Sequence, residues 1–286
     1  MRLRKAPRLG PHQLASALPV AMAHTLAHVG AVISIGAGAV GFVQVIKGAE
    51  PLFTAVLSFL MGGAMAWPVY LTLLPVIAGV GMASVGEISF TWMAFGAAMC
   101  SNASAASRSV LGKRLLKVPE KERGENLDAG NLYAVMTMMG CLLLTPAAIA
   151  LEGHKVVGIW QAAVEAGGKP TRMRRIMFLS GLFFYLYNEV SFYTLNAIHP
   201  VTHALGNTLK RVVMIAVSVM VFNHSFTPLG LVGCCTAIGG VMLYSLTKAK
   251  FAPREADLAG VQRIDAPTPT PAPTPSTTTV EVIAAS

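Results

Sequence analysis

From residue 14 to residue 248 the chain is a succession of apolar runs, each about 20 residues long and joined to the next by a short polar stretch. A helix needs roughly that length to cross the hydrocarbon core of a bilayer, and inside lipid only helices and closed barrels satisfy their own backbone hydrogen bonds. The chain is therefore expected to be all-α and polytopic, with lipid as its solvent. With 54% hydrophobic and 12% charged residues, it stands apart from soluble domains, where about a quarter of residues are charged. Eight spans are expected, at about 14–37, 40–63, 66–85, 88–112, 130–152, 175–198, 200–222 and 227–248. An amphipathic piece around Val156–Val164 is expected to lie on the membrane surface. Residues 1–13 form a basic leader to the membrane domain, 14–250. The Pro/Thr-rich tail, 251–286, has too little apolar content to bury a core and is expected to be disordered.

The formal net charge of +9 is a matter of orientation more than of nucleic-acid binding, because no basic stripe interleaved with aromatics is present. When the joints are dealt alternately to two faces, the N-terminus, the 113–123 joint and the 248–254 exit share one face, which the positive-inside rule assigns to the cytoplasm or its organellar equivalent. Cys100, Cys141, Cys234 and Cys235 lie in apolar segments with no CxxC spacing and are expected to be small buried hydrophobes. Gly36–Gly41 matches GxGxxG but lies between membrane helices, not in a βαβ unit. His24 and His28, like His199 and His203, are four residues apart without a carboxylate to complete a metal set; His28 suits a polar cavity wall and His24 simple packing. The sequons at Asn102 and Asn223 fall at membrane depth and in a short turn. No nucleophile and base accompany each other, so neither an enzyme nor a cofactor is expected.

An internal repeat organises the spans. The run from Gly41 to Met61 lies over that from Ala204 to Phe222 with Lys47 matched to Lys210, and Ile77–Met82 lies over Ile238–Met242. Helices one to three thus correspond to helices six to eight. An offset of five helices makes the copies cross the membrane in opposite senses, the inverted-repeat plan of secondary carriers. Helices four and five have no counterpart at the front, which implies two further helices ahead of residue 14.

Lys47, Arg108, Lys210 and Arg211 sit inside apolar runs, where each charge costs roughly 2.5–3.5 kcal/mol on insertion scales unless it faces a cavity or a partner. The acids at similar depth are Glu50 and Glu189. Two positive charges are left over, which suits a phosphate monoester carrying about −1.5 to −2. Glu50 is three residues from Lys47, so a local pair between them competes with this reading. Pro51 and Pro200 are expected to break or begin the paired helices and let irregular backbone line a cavity.

Between Leu18 and Lys250, nearly all of the hydrophobic chain, lie the motifs LPVAMAHTLAHV, VIKGAEPLF, SNAS with SRSVLGKR, YNEVSFYTL, HPVTHALGNTLKRV and GGVMLYSLTKAK. In these the sequence resembles the plastid triose-phosphate/phosphate translocator family of the drug/metabolite transporter superfamily. The resemblance implies a ten-helix carrier in which residues at the places of Lys47, Lys210 and Arg211 hold the phosphate, while those at His28, Arg108 and Tyr187 contact the rest of the substrate. It also implies a transit peptide and a plastid inner envelope. Gly30 and Ala31 stand where triose-phosphate carriers tend to have a hydroxyl residue; small residues there resemble the hexose- and pentose-phosphate branch and are expected to leave space beside His28 that a larger side chain would close. His28 is usually missing from the phosphoenolpyruvate branch.

The expected function is therefore exchange of a phosphorylated C3, C5 or C6 compound for inorganic phosphate by alternating access, with small phosphorylated anions, phosphate and the lipid bilayer as partners and no nucleic acid. Rival expectations are a nucleotide-sugar carrier of the endomembrane system, which a glycan at Asn223 would favour, and a non-transporting paralogue acting as a scaffold.

Overall fold

The computed structural model describes residues 5–63, 65–197, 200–222 and 226–264; of 189, 191–197, 200–205, 207 and 252–264 it describes the backbone alone. Eleven helices are present among the described residues: α1 (Pro11–Ala37), α2 (Val40–Lys47), α3 (Glu50–Leu60), α4 (Trp67–Leu71), α5 (Leu73–Val85), α6 (Trp92–Lys117), α7 (Glu120–Arg123), α8 (Ala129–Glu165), α9 (Pro170–Ala197), α10 (Pro200–Phe222) and α11 (Pro228–Ile264). The one extended pairing among them is an isolated bridge between Arg8 and Glu125. The protein is an all-α polytopic membrane protein. Five stretches are long and apolar enough to cross a bilayer: Pro11–Ala37, Val40–Leu60, Trp67–Val85, Ala129–Glu165 and Pro228–Phe251. Of the remaining long helices, α6 and α10 are the ones that carry Arg108 and the Lys210-Arg211 pair.

Small residues let α1 and α6 approach closely. Ala94, Ala98, Ser101, Ala105 and Ala106 of α6 are buried, and a Cβ placed on Gly30 would lie 2.9 Å from the Ala97 carbonyl. Gly30 is therefore a packing residue and leaves no free space beside His28, against the sequence expectation. Thr91 accepts from the Ala94 N–H (3.1 Å) to cap α6 and donates to the Ala37 carbonyl (2.8 Å), fastening the end of α1 to the start of α6. A second core, built from Phe42, Val45, Ile46, Val80, Ala98, Ile215 and Ala237, joins α2, α5, α6, α10 and α11.

The helices α5 and α11, which run antiparallel, meet backbone to backbone. A Cβ on Gly79 would collide with the Ala237 backbone nitrogen, and a Cβ on Gly240 would meet the Val76 nitrogen at 2.8 Å. The chain displacement that carries Ile77 to Ile238 also carries Gly79 to Gly240 and Val76 to Ala237. These two contacts are therefore images of one another under the internal repeat, as an inverted pair of helices crossing on a pseudo-two-fold axis requires.

Several expectations change. α8 runs unbroken for 37 residues with Pro146 inside it, so Val156–Val164 continues the helix and is not a separate surface piece. Lys155 lies three residues after Glu152, one turn on, and the helix carries this polar pair outward without breaking. Only Cys234 is buried, while Cys100, Cys141 and Cys235 are exposed, against the expectation of four buried thiols. The chain divides into a unit from Met1 to Ala249 and one from Lys250 to Ser286. α11 runs on to Ile264, through the first residues of the expected tail; 265–286, His199 and Asn223 lie outside the described residues, as do the side chains of Glu189 and His203.

Candidate functional site

The site begins at a helix break. Pro51 has no N–H to give the Lys47 carbonyl, so α2 stops at Lys47 and α3 restarts at Glu50. Between them the Gly48 N–H bonds to the Val45 carbonyl and the Ala49 N–H to the Ile46 carbonyl, both at 2.9 Å, in tight i→i+3 turns. The Ile46 carbonyl also accepts from Asn102 Nδ2 at 2.8 Å, so a fully buried side chain of α6 braces the break. That burial leaves no access for a glycan at Asn102.

Lys47 ends α2 and turns its ammonium toward α6, donating to Ser101 Oγ at 2.8 Å; the same hydroxyl donates to the Ala27 carbonyl at 2.6 Å. Three helices are thus tied through one buried oxygen. Across the break, Glu50 does not make its ion pair with Lys47. Its carboxylate lies 3.7 Å from the Arg211 guanidinium of α10, with side chains 30% and 18% exposed. Lys210, the next residue, donates to the Tyr187 hydroxyl of α9 at 2.7 Å and stands 4.8 Å from the centre of that ring. Adjacent residues on a helix point about 100° apart, and this pair uses the divergence to meet an acid on one side and a tyrosine on the other. Tyr187 is 45% exposed, so this side of the cluster is open.

Arg108, on α6, approaches His24 Nδ1 at 3.3 Å. A guanidinium can only donate, which makes Nδ1 the acceptor and puts the ring proton on Nε2. His24 also meets the His28 ring edge-on at 4.5 Å, and His28 in turn stands edge-on to Phe184 of α9 at 5.6 Å. His24, expected to be simple packing, is thus the residue that holds Arg108.

The six sequence candidates are spread over α1, α2, α6, α9 and α10, yet Lys47 lies within electrostatic reach of Glu50, Arg211, Arg108 and Lys210 together, and His28 within reach of Arg108 and Lys47. Four cations and one carboxylate make up the described charges of the cluster. Ser101, Asn102 and His24 belong to its frame, a role the sequence reading did not assign to them. The signal for Ser101 and Asn102 was the SNAS…SR run, five small or polar residues and an arginine in an apolar helix. Among the described residues no group of three or more His, Cys, Asp or Glu side chains is placed to hold a metal.

A family model described as the Triose-phosphate Transporter family matches residues 1–245. The chain is 37% identical to the chloroplastic glucose-6-phosphate/phosphate translocator 2 of Arabidopsis thaliana, over 86% of this chain and 62% of that protein. It is 38% identical to the chloroplastic triose phosphate/phosphate translocator of Flaveria pringlei, over 84% of this chain and 57% of the relative. It is also 38% identical to the chloroplastic phosphoenolpyruvate/phosphate translocator 1 of Oryza sativa subsp. japonica, over 88% and 61%. The chain thus spans about three fifths of the length of these curated relatives.

Proposed function

Because this chain belongs to the Triose-phosphate Transporter family, we propose that it exchanges a phosphorylated three-, five- or six-carbon compound for inorganic phosphate across the plastid inner envelope. The observation that carries the reading is the cluster of Lys47, Arg108, Lys210 and Arg211 at membrane depth, which Glu50 alone of the described acids offsets. Such a site is costly when empty and is neutralised by a dianion. Lys47, Lys210 and Arg211 hold the phosphate; a planar guanidinium and two ammonium groups suit its oxygens. Tyr187, His28 and Arg108 meet what lies beyond it. Alternating access follows from the two inverted repeats, and obligatory exchange from charge: binding either anion stabilises the form that crosses between states, and the empty site lacks that stabilisation. Uptake of labelled phosphate into liposomes loaded with phosphate or with candidate esters tests this directly. Uptake is expected only with an internal partner, and equal uptake into empty liposomes would remove the exchange mechanism.

The three relatives are named for three different esters at nearly equal identity, so the choice of ester rests on a few side chains and not on overall similarity. A site that hydrogen-bonds a substrate group rejects analogues lacking it more strongly than one that merely fits a shape. Tyr187→Phe is therefore expected to keep phosphate/phosphate exchange within about threefold while lowering exchange of at least one ester about tenfold. Ala31→Thr, one turn from His28, is expected to shift preference toward three-carbon esters. Both variants are to be measured against phosphate, a triose phosphate and a hexose phosphate; an equal loss for all three would mean that this wall does not select.

A further inference from the structure

The two arginines of the cluster are held in different ways. Arg211 has an acid beside it, the Glu50 carboxylate at 3.7 Å, which offsets its charge. Arg108 is half-buried on α6, and its partner among the described residues is a ring nitrogen, His24 Nδ1 at 3.3 Å. A guanidinium cannot accept a hydrogen bond and keeps its proton, so this contact exists only while Nδ1 is unprotonated and the imidazole neutral. An acid in the place of His24 would hold Arg108 as firmly and cancel its charge. A neutral acceptor holds it and leaves that charge, with the remaining N–H groups of the guanidinium, for another partner.

The ring that does this is itself fixed. His24 is 5% exposed, on a helix packed between α6 and α8. Tyr133 of α8 stands edge-on to it with ring centres 5.8 Å apart, and His28, one turn along α1, does so at 4.5 Å. α8 comes this near because Gly140 carries no side chain: a Cβ there would meet Thr25 Oγ1 at 2.6 Å and His24 Cδ2 at 3.9 Å. Two edge-on contacts leave an imidazole little freedom to turn, and a fixed ring with a directed lone pair sets where the guanidinium lies. An arginine not so held has several rotatable bonds, and ordering them falls on the binding of the substrate.

We propose that His24 is a positioning residue for substrate selection: through Nδ1 it fixes the Arg108 guanidinium so that its free N–H groups meet the part of the ester beyond the phosphate. The inference rests on the proposed function, in which Arg108 has that role, and gives His24 no contact with the substrate itself. Esters that reach Arg108 depend on His24, whereas inorganic phosphate, which has nothing beyond its own oxygens, depends on it less.

Three replacements of one side chain test this. His24→Phe keeps a ring for Tyr133 and His28 and removes the acceptor. His24→Asn puts a carbonyl oxygen in the place of Nδ1, and His24→Gln puts one nearer the place of Nε2. Counter-exchange in liposomes gives KM and maximal rate for phosphate, a triose phosphate and a hexose phosphate. His24→Phe is expected to raise KM for at least one ester about tenfold more than KM for phosphate, the scale of one hydrogen bond to a charged group. Maximal rates should change by the same factor for every substrate. His24→Asn should restore most of the ester KM, and His24→Gln should not. In the Arg108→Gln background, His24→Phe should add less than about twofold, because one interaction is not lost twice. Equal changes of KM for phosphate and esters, or full additivity with Arg108→Gln, would overturn the proposal.

Nitrogen NMR of the histidine-labelled full chain in nanodiscs reads the same contact without transport. The His24 signal, assigned by its loss in His24→Phe, is expected to show an unprotonated Nδ1 that shifts in Arg108→Gln. A protonated Nδ1, or one indifferent to Arg108→Gln, would likewise overturn the proposal. An unaltered chain that shows the expected signal and exchanges nothing would instead remove the exchange reading and leave His24 holding Arg108.

Discussion

Arg211→Ala and Lys210→Ala are each expected to lower phosphate exchange by at least about 100-fold while the protein still inserts and folds. For Arg211 the reason lies in the pair it makes. Its guanidinium is largely enclosed and 3.7 Å from Glu50, and removing one partner of such a pair leaves the other charge stranded, a cost of about 3–5 kcal/mol. A stranded carboxylate in the site also repels the anion that the site is proposed to bind. Glu50→Gln separates the two effects: with the carboxylate neutral and Arg211 intact, phosphate binding should be retained or strengthened, whereas Arg211→Ala with Glu50→Gln should fold well and still fail to exchange. Arg211→Lys should also be impaired, since an ammonium cannot reproduce the planar fork. Lys210 is held differently, by a hydroxyl and a ring face, so its loss removes a positive charge without stranding an acid. Counter-exchange of labelled phosphate in liposomes measures all five, and full activity in both alanine variants would show that phosphate binds elsewhere.

Gly79→Leu should be the most damaging change to folding. A Cβ there meets the Ala237 backbone and comes within 2.8 Å of the Gly233 carbonyl, so nothing flexible stands in the way to give. Overpacking that forces backbone shifts costs about 1–3 kcal/mol or more in a packed interior, and a leucine adds three further carbons to the first clash. Gly240→Leu, its image in the repeat, should behave alike. Gly81→Leu is the control, because a Cβ on Gly81 meets nothing within 4 Å and the same helix carries it. Yield of monodisperse protein and thermal unfolding in detergent decide the matter. Equal stability of the Gly79 and Gly81 variants would mean that α5 and α11 do not meet backbone to backbone.

How far the sequence could be read follows from what each signal encodes. Apolar run length placed a helix in each of the eight expected runs, five of which lie in stretches long and apolar enough to cross a bilayer, because the requirement of a bilayer acts on each run separately. Charge at membrane depth picked out Lys47, Arg108, Lys210 and Arg211 for the same reason: its cost is local. Partners are not local. Spacing favoured Glu50 with Lys47, but the turn at Gly48-Ala49 interrupts the helix on which that spacing depends, and the ion pair forms with Arg211, 161 residues further on. His24 and Arg108 are likewise joined only by the docking of α1 on α6. Gly30 was read as free space because a missing side chain looks the same in a sequence whether it makes a cavity or admits a neighbouring helix.

The length of α8 carries a mechanical consequence. Thirty-seven residues make a rod of about 55 Å, nearly twice the thickness of a hydrocarbon core, and its half beyond Cys141 lies almost wholly exposed. The inner half is gripped by α1 through Leu132, Val135 and Met136. Held by α1 at one end and turning into α9 at the other, the helix is a lever, and any tilt of the gripped end is magnified in proportion to the arm that extends from it. A spin label near Val164 therefore reads rearrangements too small to resolve at the charges themselves.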